Sequence, residues 1–348
     1  MRFGVALLTG TLLTGALVAC SNGYGVPPTT SISADDSAQT NGSVPPVQLR
    51  SSEILAKMHA ATGRGGTDAA TFGIYAATYT GVVYGYPFND RSNGPPVCSV
   101  GPFNKNFSTG IAVDRKGDLL VADGGANTIT IFKGPGLCGP KLGSIADPFG
   151  TAFTDVASRD GVTIVAGYYK QLARSHVPGV AVCTLSGGCT RHLSLGLGPG
   201  SVFGVAVAPN GDCWASASSK LGPVLVYFAH CRGNGVVATG CCIGAGGLDI
   251  DNNGNLVTIF ASATPDLTVY SGCNPACTLV GGPFPLKGSV GYGHLDGSSN
   301  KFVAANSNGP SVDVYSYSPS GINYLYGITN GLAQQGASAA AFSPNSKE

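Results

Sequence analysis

The chain has 348 residues, with 19 Lys and Arg against 18 Asp and Glu, and only 11% of its residues are charged. So sparse and balanced a charge supplies none of the long-range positive field that phosphate backbones require, which excludes nucleic acid as a partner. Gly at 53 and Pro at 22 exclude a helical bundle, while 43% hydrophobic residues are ample for a core, so the composition describes a folded, turn-rich and strand-rich protein.

Arg2 precedes an apolar stretch, residues 5–18, that is too short to span a bilayer as a permanent helix and has the pattern of an export signal. It ends in Leu17-Val18-Ala19-Cys20, which resembles the lipobox of bacterial lipoproteins. The resemblance implies removal of residues 1–19 and acylation of Cys20. That makes the membrane a partner through the lipid anchor and places the protein in the bacterial cell envelope, facing away from the cytoplasm. Residues 20–50 are rich in Ser, Thr, Asn, Gly and Pro and read as a flexible tether. Ser51-Ser52-Glu53 then opens a short helix within 51–63 that ends at Gly63 and needs a surface to lie on.

From 66 to 348 the sequence repeats itself. Gly110-Ile111-Ala112-Val113-Asp114-Arg115-Lys116-Gly117-Asp118-Leu119-Leu120-Val121-Ala122-Asp123 returns as Gly204-Val205-Ala206-Val207 with Gly211, and as Gly247-Leu248-Asp249-Ile250 with Gly254. Weaker copies run from Asp155 through Gly161 and from His294 through Asn300. Each copy reads as strand, tight turn, strand, and the turn residue (Gly117, Gly161, Gly211, Gly254, Asn300) recurs at roughly 45 residues, the length of a propeller blade. Third strands follow at 128–132, 224–228 and 312–316. The last copy, Ala340-Ala341-Phe342-Ser343-Pro344-Asn345, stops after one strand, and its missing continuation is at the start, in strands at 72–77, 82–86 and around Val97. The pattern predicts an all-β, six-bladed β-propeller closed by joining the C-terminal strand to the N-terminal blade, leaving no open sheet edge. The segment 110–132 resembles an NHL-type repeat. NHL-like propellers include protein and RNA binders, extracellular sensors, and a few lyases and lactonases, so the resemblance implies the architecture and leaves the function open.

With Cys20 set aside, the remaining cysteines are even in number, the usage of an oxidising compartment. Cys183 and Cys189 flank a hairpin turn, as do Cys273 and Cys277, and Cys213 and Cys231 meet at one end of a blade, which predicts three disulfides. The pairing of Cys98, Cys138, Cys241 and Cys242 is open: the first two hold the same relative place in neighbouring blades, and the last two are adjacent. Cys273 and Cys277 have no second pair or nearby histidine to complete a zinc site, so no metal is expected.

Glu53 and Glu348 are the only glutamates and lie outside the blades, so acid–base chemistry inside the ring falls to Asp155, Asp249, His294 and Asp296. Asp155 and His294 are expected at the repeat position that Ile111, Val205 and Leu248 fill with apolar side chains. His59, His192 and His230 show no partner pattern and read as surface or packing residues. The stretch 167–178 is expected as a long loop on the face of the inter-blade crossovers. It carries Tyr168, Tyr169, Lys170, Arg174 and His176, an aromatic and cationic mixture favoured at binding hot spots. Phe149, Phe203 and Tyr292 precede inner strands and are expected around the channel mouth on that face. Together these features describe a monomeric, envelope-anchored binding or interaction module without cofactor, whose ligand is a protein, glycan or small molecule. The alternative is a propeller lactonase or lyase acting at the channel, the one case that calls for a divalent metal. A structural envelope protein reads the same in sequence as the binding module.

Overall fold

The computed structural model describes residues 73–343 except 89–92, 104–109, 148, 150, 159, 173–174, 220–221, 242, 245, 263, 289, 308 and 333–335. The export signal, Cys20, the tether, the 51–63 helix, Arg174 and Cys242 lie outside the described residues.

The N-terminal blade holds β1 (Gly73–Thr78), β2 (Val83–Pro87) and β3 (Cys98–Val100). The second blade is β4 (Ile111–Val113), β5 (Leu119–Asp123), β6 (Thr128–Phe132) and β7 (Lys141–Ala146). The third is β8 (Ala152–Ala157), β9 (Ile164–Leu172), β10 (Ser175–Thr184) and β11 (Gly188–Ser194). The fourth is β12 (Val202–Val207), β13 (Cys213–Ser219), β14 (Gly222–Phe228) and β15 (Val236–Val237). The fifth is β16 (Leu248–Ile250), β17 (Leu256–Phe260), β18 (Asp266–Ser271) and β19 (Thr278–Pro285). The sixth is β20 (Val290–Leu295), β21 (Lys301–Asn306), β22 (Ser311–Ser318) and β23 (Gly321–Ile328), and β24 (Ala337–Phe342) returns to the first. Each blade is a four-stranded antiparallel sheet, and the first runs β24-β1-β2-β3. The predicted closure is therefore present, with Ile74 opposite Phe342 and Ala76 opposite Ala340.

A blade has two apolar faces and cannot bury either alone, so the core is a ring of slabs between neighbours. Ile129, Phe153, Val156 and Tyr168 fill the slab between the second and third blades. Val165, Val180, Val205 and Phe228 fill the next. Trp214 bridges the fourth and fifth, donating its indole N–H to the Cys273 carbonyl at 2.7 Å. Near the axis the blades converge until only small residues fit. A Cβ on Gly204 would lie 2.7 Å from the Gly246 carbonyl oxygen and 2.8 Å from the Leu248 nitrogen of the next blade.

The first hairpin turns follow one device. Asp114 accepts the Lys116 and Asp118 amides at 2.8 and 2.9 Å, and Asp251 accepts those of Asn253 and Asn255 at 2.9 and 2.8 Å. Gly117, Gly161, Gly211 and Gly254 take positive φ as expected. In the sixth blade the left-handed residue is Ser299 (φ 56°) and not Asn300. The turn from Leu295 to Phe302 is one residue longer than that from Val113 to Leu119, which moves the position needing positive φ.

The segment expected as a loop at 167–178 is also different. It belongs to two strands, β9 and β10, that pair without interruption from Leu172 opposite Ser175 to Ile164 opposite Cys183. Gly167, Pro178 and Gly179 hid this extension, because all three weaken strand patterns. Gly179 makes the room that the Tyr168 ring occupies, and Pro178 sits just beyond the β10–β11 ladder, which begins at Gly179.

Cys183–Cys189, Cys213–Cys231 and Cys273–Cys277 form the three expected disulfides, and Cys98 pairs with Cys138. Beside that fourth bond the Tyr75 hydroxyl donates to the Gly136 carbonyl and accepts the Cys138 amide, each at 3.0 Å, so the first two blades are stapled twice. Cys241 is outside any disulfide, and burial pushes its thiol up to about 11. Such bonds are the usage of an oxidising compartment. The Cys98–Cys138 bond closes 40 residues and the Cys273–Cys277 bond only 4. Chain entropy then predicts that the double Cys→Ser change costs about 4 kcal/mol at the first pair and about 2 at the second. Denaturant midpoints of the two variants check this, and an equal loss would refute it.

Candidate functional site

Two groupings of polar side chains stand out, one on the axis and one at the rim. On the axis the third and sixth blades face each other across a ring of six. Asp155 in β8 is buried; its Oδ2 accepts the Val205 amide at 2.9 Å, and its Oδ1 has no partner. Asp249 in β16 accepts the Ile250 amide at 2.7 Å and the Leu295 amide at 2.8 Å. His294 in β20 places Nδ1 3.4 Å from Asp249 Oδ2, and its ring also bonds the backbone of Ile111. These bonds tie the third blade to the fourth, and the sixth to both the fifth and the second. Asp155 does hold the expected repeat position, but His294 does not: in its hairpin it aligns with Ala112 and Asp249, one residue after Ile111 and Leu248. The longer turn that follows His294 hid this offset in the sequence.

Burial pushes the Asp155 carboxyl up to about 6, against the pull of His294 and of the Val205 and Val156 amides, and Asp249 adds to the rise. For His294 burial disfavours the charged ring, but Asp249, Asp155 and the Ile111 backbone together outweigh it and hold its pKa above the ordinary histidine value. A cavity of about 150 Å³ reaches Asp249 and His294 from the face of the first hairpin turns, past Arg115, Asn252 and Asp296. Asp296 is part of the wall, but its carboxylate is engaged in the turn, accepting the Asn300 and Lys301 amides at 2.8 and 3.0 Å and the Ser298 hydroxyl at 2.7 Å. Among the described residues no group of three or more His, Cys, Asp or Glu is placed to hold a metal ion.

None of Phe149, Phe203 and Tyr292, expected around the opposite channel mouth, lines this cavity. Tyr292 turns into the slab between the first and second blades, Phe203 is half-buried in β12, and Phe149 turns outward onto the rim.

At the rim β9 and β10 run past their neighbours as a two-stranded arm. The ladder to β8 stops at Ala152 opposite Tyr169, and that to β11 stops at Ser194 opposite Gly179. Tyr169 and His176 lie on one face of the arm with ring centroids 4.7 Å apart. Lys170 and Val177 are opposite each other in register and exposed. At the arm's root stands a pairing that the sequence reading missed. His192 Nε2 is 3.0 Å from Oδ2 of Asp147, whose side chain is fully buried and also accepts the Thr151 hydroxyl and the Phe149 amide. Burial works to raise Asp147, but those three partners hold its carboxyl below the usual range. Phe149 and Tyr168 set ring edges against His192 at 4.5 and 5.5 Å. Asp147 lies 45 residues before His192, so no local spacing marks the pair. His230, 70% exposed, keeps its surface place 3.6 Å from Asp212.

No family model matches the chain, and no curated protein matches it. Solved structures are similar in fold. A chain of a nidogen/laminin complex is 14% identical with a TM-score of 0.55, covering 78% of this chain and 98% of that one. A Bacteroides caccae protein of unknown function is 10% identical at 0.54, covering 78% and 99%. The β-propeller domain of Myceliophteria thermophila Cps50 (Swd1) is 10% identical at 0.50, covering 79% and 88%. These likenesses agree with the six-bladed propeller and bear on the fold alone.

The axial pKa shifts fix a pH dependence. A carboxyl whose pKa is raised on folding stabilises the fold when protonated, so the Asp155 contribution is lost as pH rises from 3.8 through about 6. His294, also raised, contributes fully below 6.5 and loses that contribution as pH climbs through its higher folded value. Both act in the same sense. Asp155→Asn is expected to flatten the fall in melting temperature between about pH 4 and 6.5 relative to the parent, and an unchanged slope would remove Asp155 from this role.

Proposed function

We propose that this chain is an envelope-anchored lipoprotein whose propeller is a binding module, engaging its partner at the β9–β10 arm and the crossover surface around Phe149. The observation that carries the reading is the arm itself. It extends a blade beyond its neighbours and presents Lys170 and Val177 (37% exposed) on one face and the Tyr169–His176 pair on the other, with Phe149 (55% exposed) against His192 at its root. Exposed aromatic and cationic groups on a stiff support are what recognition surfaces use, because little ordering entropy is lost on binding. The lipobox at Cys20 and the disulfide-rich fold support export and anchoring.

A second reading, a hydrolase or lyase at the channel, rests on the shifted Asp155 and His294 and on the cavity beside them. It is the weaker one. The ring's own backbone amides occupy all but one of the carboxylate oxygens of Asp155 and Asp249, and the remaining one, Asp155 Oδ1, is buried and outside the cavity wall.

Two experiments test the proposal. Cys20→Ala is expected to move the protein from the membrane to the soluble fraction, and undiminished membrane retention would sink the anchor. A photoreactive residue at 177 is expected to cross-link a distinct partner in intact cells, while the same residue at 253, on the opposite face, does not. Equal or absent cross-linking at the two positions overturns the binding surface.

A further inference from the structure

We infer that the arm binds its partner by strand addition along the free edge of β9, and that the added strand carries carboxylates. This deepens the reading above and rests on it.

The edge is the first observation. Past Tyr169 the residues Lys170 to Leu172 remain in strand conformation and pair with β10, yet among the described residues no strand covers their other side. Just ahead of β8, Thr151 and the Phe149 amide are held by Asp147, and the β8–β9 ladder begins only at Ala152 opposite Tyr169. The opposite edge of the arm is already covered, since the Gly200 amide donates to the His176 carbonyl at 3.0 Å. An open edge beside an apolar surface is a template for an extended segment, whose main chain supplies affinity and whose alternate side chains supply specificity.

Charge is the second. From Gly161 to Gly211 the sequence contains no Asp or Glu, while it contains Lys170, Arg174, His176, Arg191 and His192. In a protein with 19 basic and 18 acidic residues this is a marked local excess. Asp147, the carboxylate nearest the arm's root, is buried and spent on Thr151, Phe149 and His192. No ion pair to Lys170 or His176 forms among the described residues. An added strand whose alternate residues point carboxylates to the Lys170 face and apolar side chains to the face of the Tyr169–His176 ring pair matches both faces of the edge. That ring pair favours a protein segment over an acidic glycan, which would meet only scattered cations here.

The test uses the full-length protein in neutral detergent and fluorescein-labelled hexapeptides that alternate Val with Asp, Val with Lys, or Val with Asp with alternate backbone nitrogens methylated. Anisotropy is expected to show the acidic peptide binding at least tenfold more tightly than the other two. Lys170→Glu is expected to reverse the preference between acid and base. Equal binding of acidic and basic peptides overturns the charge assignment, and undiminished binding of the methylated peptide overturns strand addition. Binding of polygalacturonate with neither peptide bound overturns the protein class in favour of a glycan. If these fail while position 177 still cross-links a partner, the chemistry is wrong and the binding surface stands; if both fail, both readings fall.

Discussion

The pairing of β24 with β1 is the constraint on which the rest of the molecule depends. Ile74, Ala76 and Tyr86 reach their neighbours in the sixth blade, Val303, Val312, Val314 and Ile328, only through a sheet completed by Ala340 and Phe342. Each large side chain in that slab is worth roughly 1.5–3 kcal/mol of burial. Without β24 the slab opens and β1 becomes a bare edge. The seam is fastened a second time nearer the surface. The Tyr86 hydroxyl donates to the Asn330 carbonyl at 2.8 Å, and the Asn93 side-chain oxygen accepts the Thr329 and Asn330 amides at 2.7 and 2.8 Å. Chain ends far apart in sequence are thus joined in the most buried part of the fold, which makes the ring one cooperative unit.

Closure at six blades crowds the axis, and the crowding decides what the axis can do. Inner strands use Gly and Ala where backbones nearly touch; a Cβ on Gly110 would lie 2.5 Å from the Asp155 Cα. A carboxylate placed there loses water and must find protein donors. The nearest are amides of the adjoining inner strands, so Asp155 reaches Val205 and Asp249 reaches Leu295, each in the next blade. Polar groups at the axis therefore become ties between blades, and the His294 imidazole adds another by reaching both Asp249 and the Ile111 backbone. The recognition surface proposed above lies instead at the rim, where space and solvent are available.

The fold was legible in the sequence because its information is periodic. Turn glycines at roughly 45-residue intervals and an unfinished last repeat sufficed for blade count and closure. Three disulfides were legible because two pairs flank single turns and Cys213–Cys231 closes one hairpin, whereas Cys98 and Cys138 meet only once two blades are side by side. The site was less legible for the same reason. The Asp147–His192 pair joins a crossover to an outer strand, and the arm was written in residues that ordinarily end strands. His294 was placed one position early in the repeat, since the following turn departs from the repeat it was aligned with.

The arm's residues that ordinarily end strands have a packing role. Tyr168 fills the space left by Gly179, packs into the slab shared with Ile129 and Phe153, and sets its ring against His192, which Asp147 holds from below. The residues that spoil the strand pattern are therefore the ones that root the strand. An arm so rooted does not have to be ordered by its partner, and the entropy that a flexible loop would lose on binding has already been spent in folding. A loop of the same composition would bind by wrapping, whereas the strand addition proposed above would use the edge of a rooted two-stranded arm and so favour an extended partner.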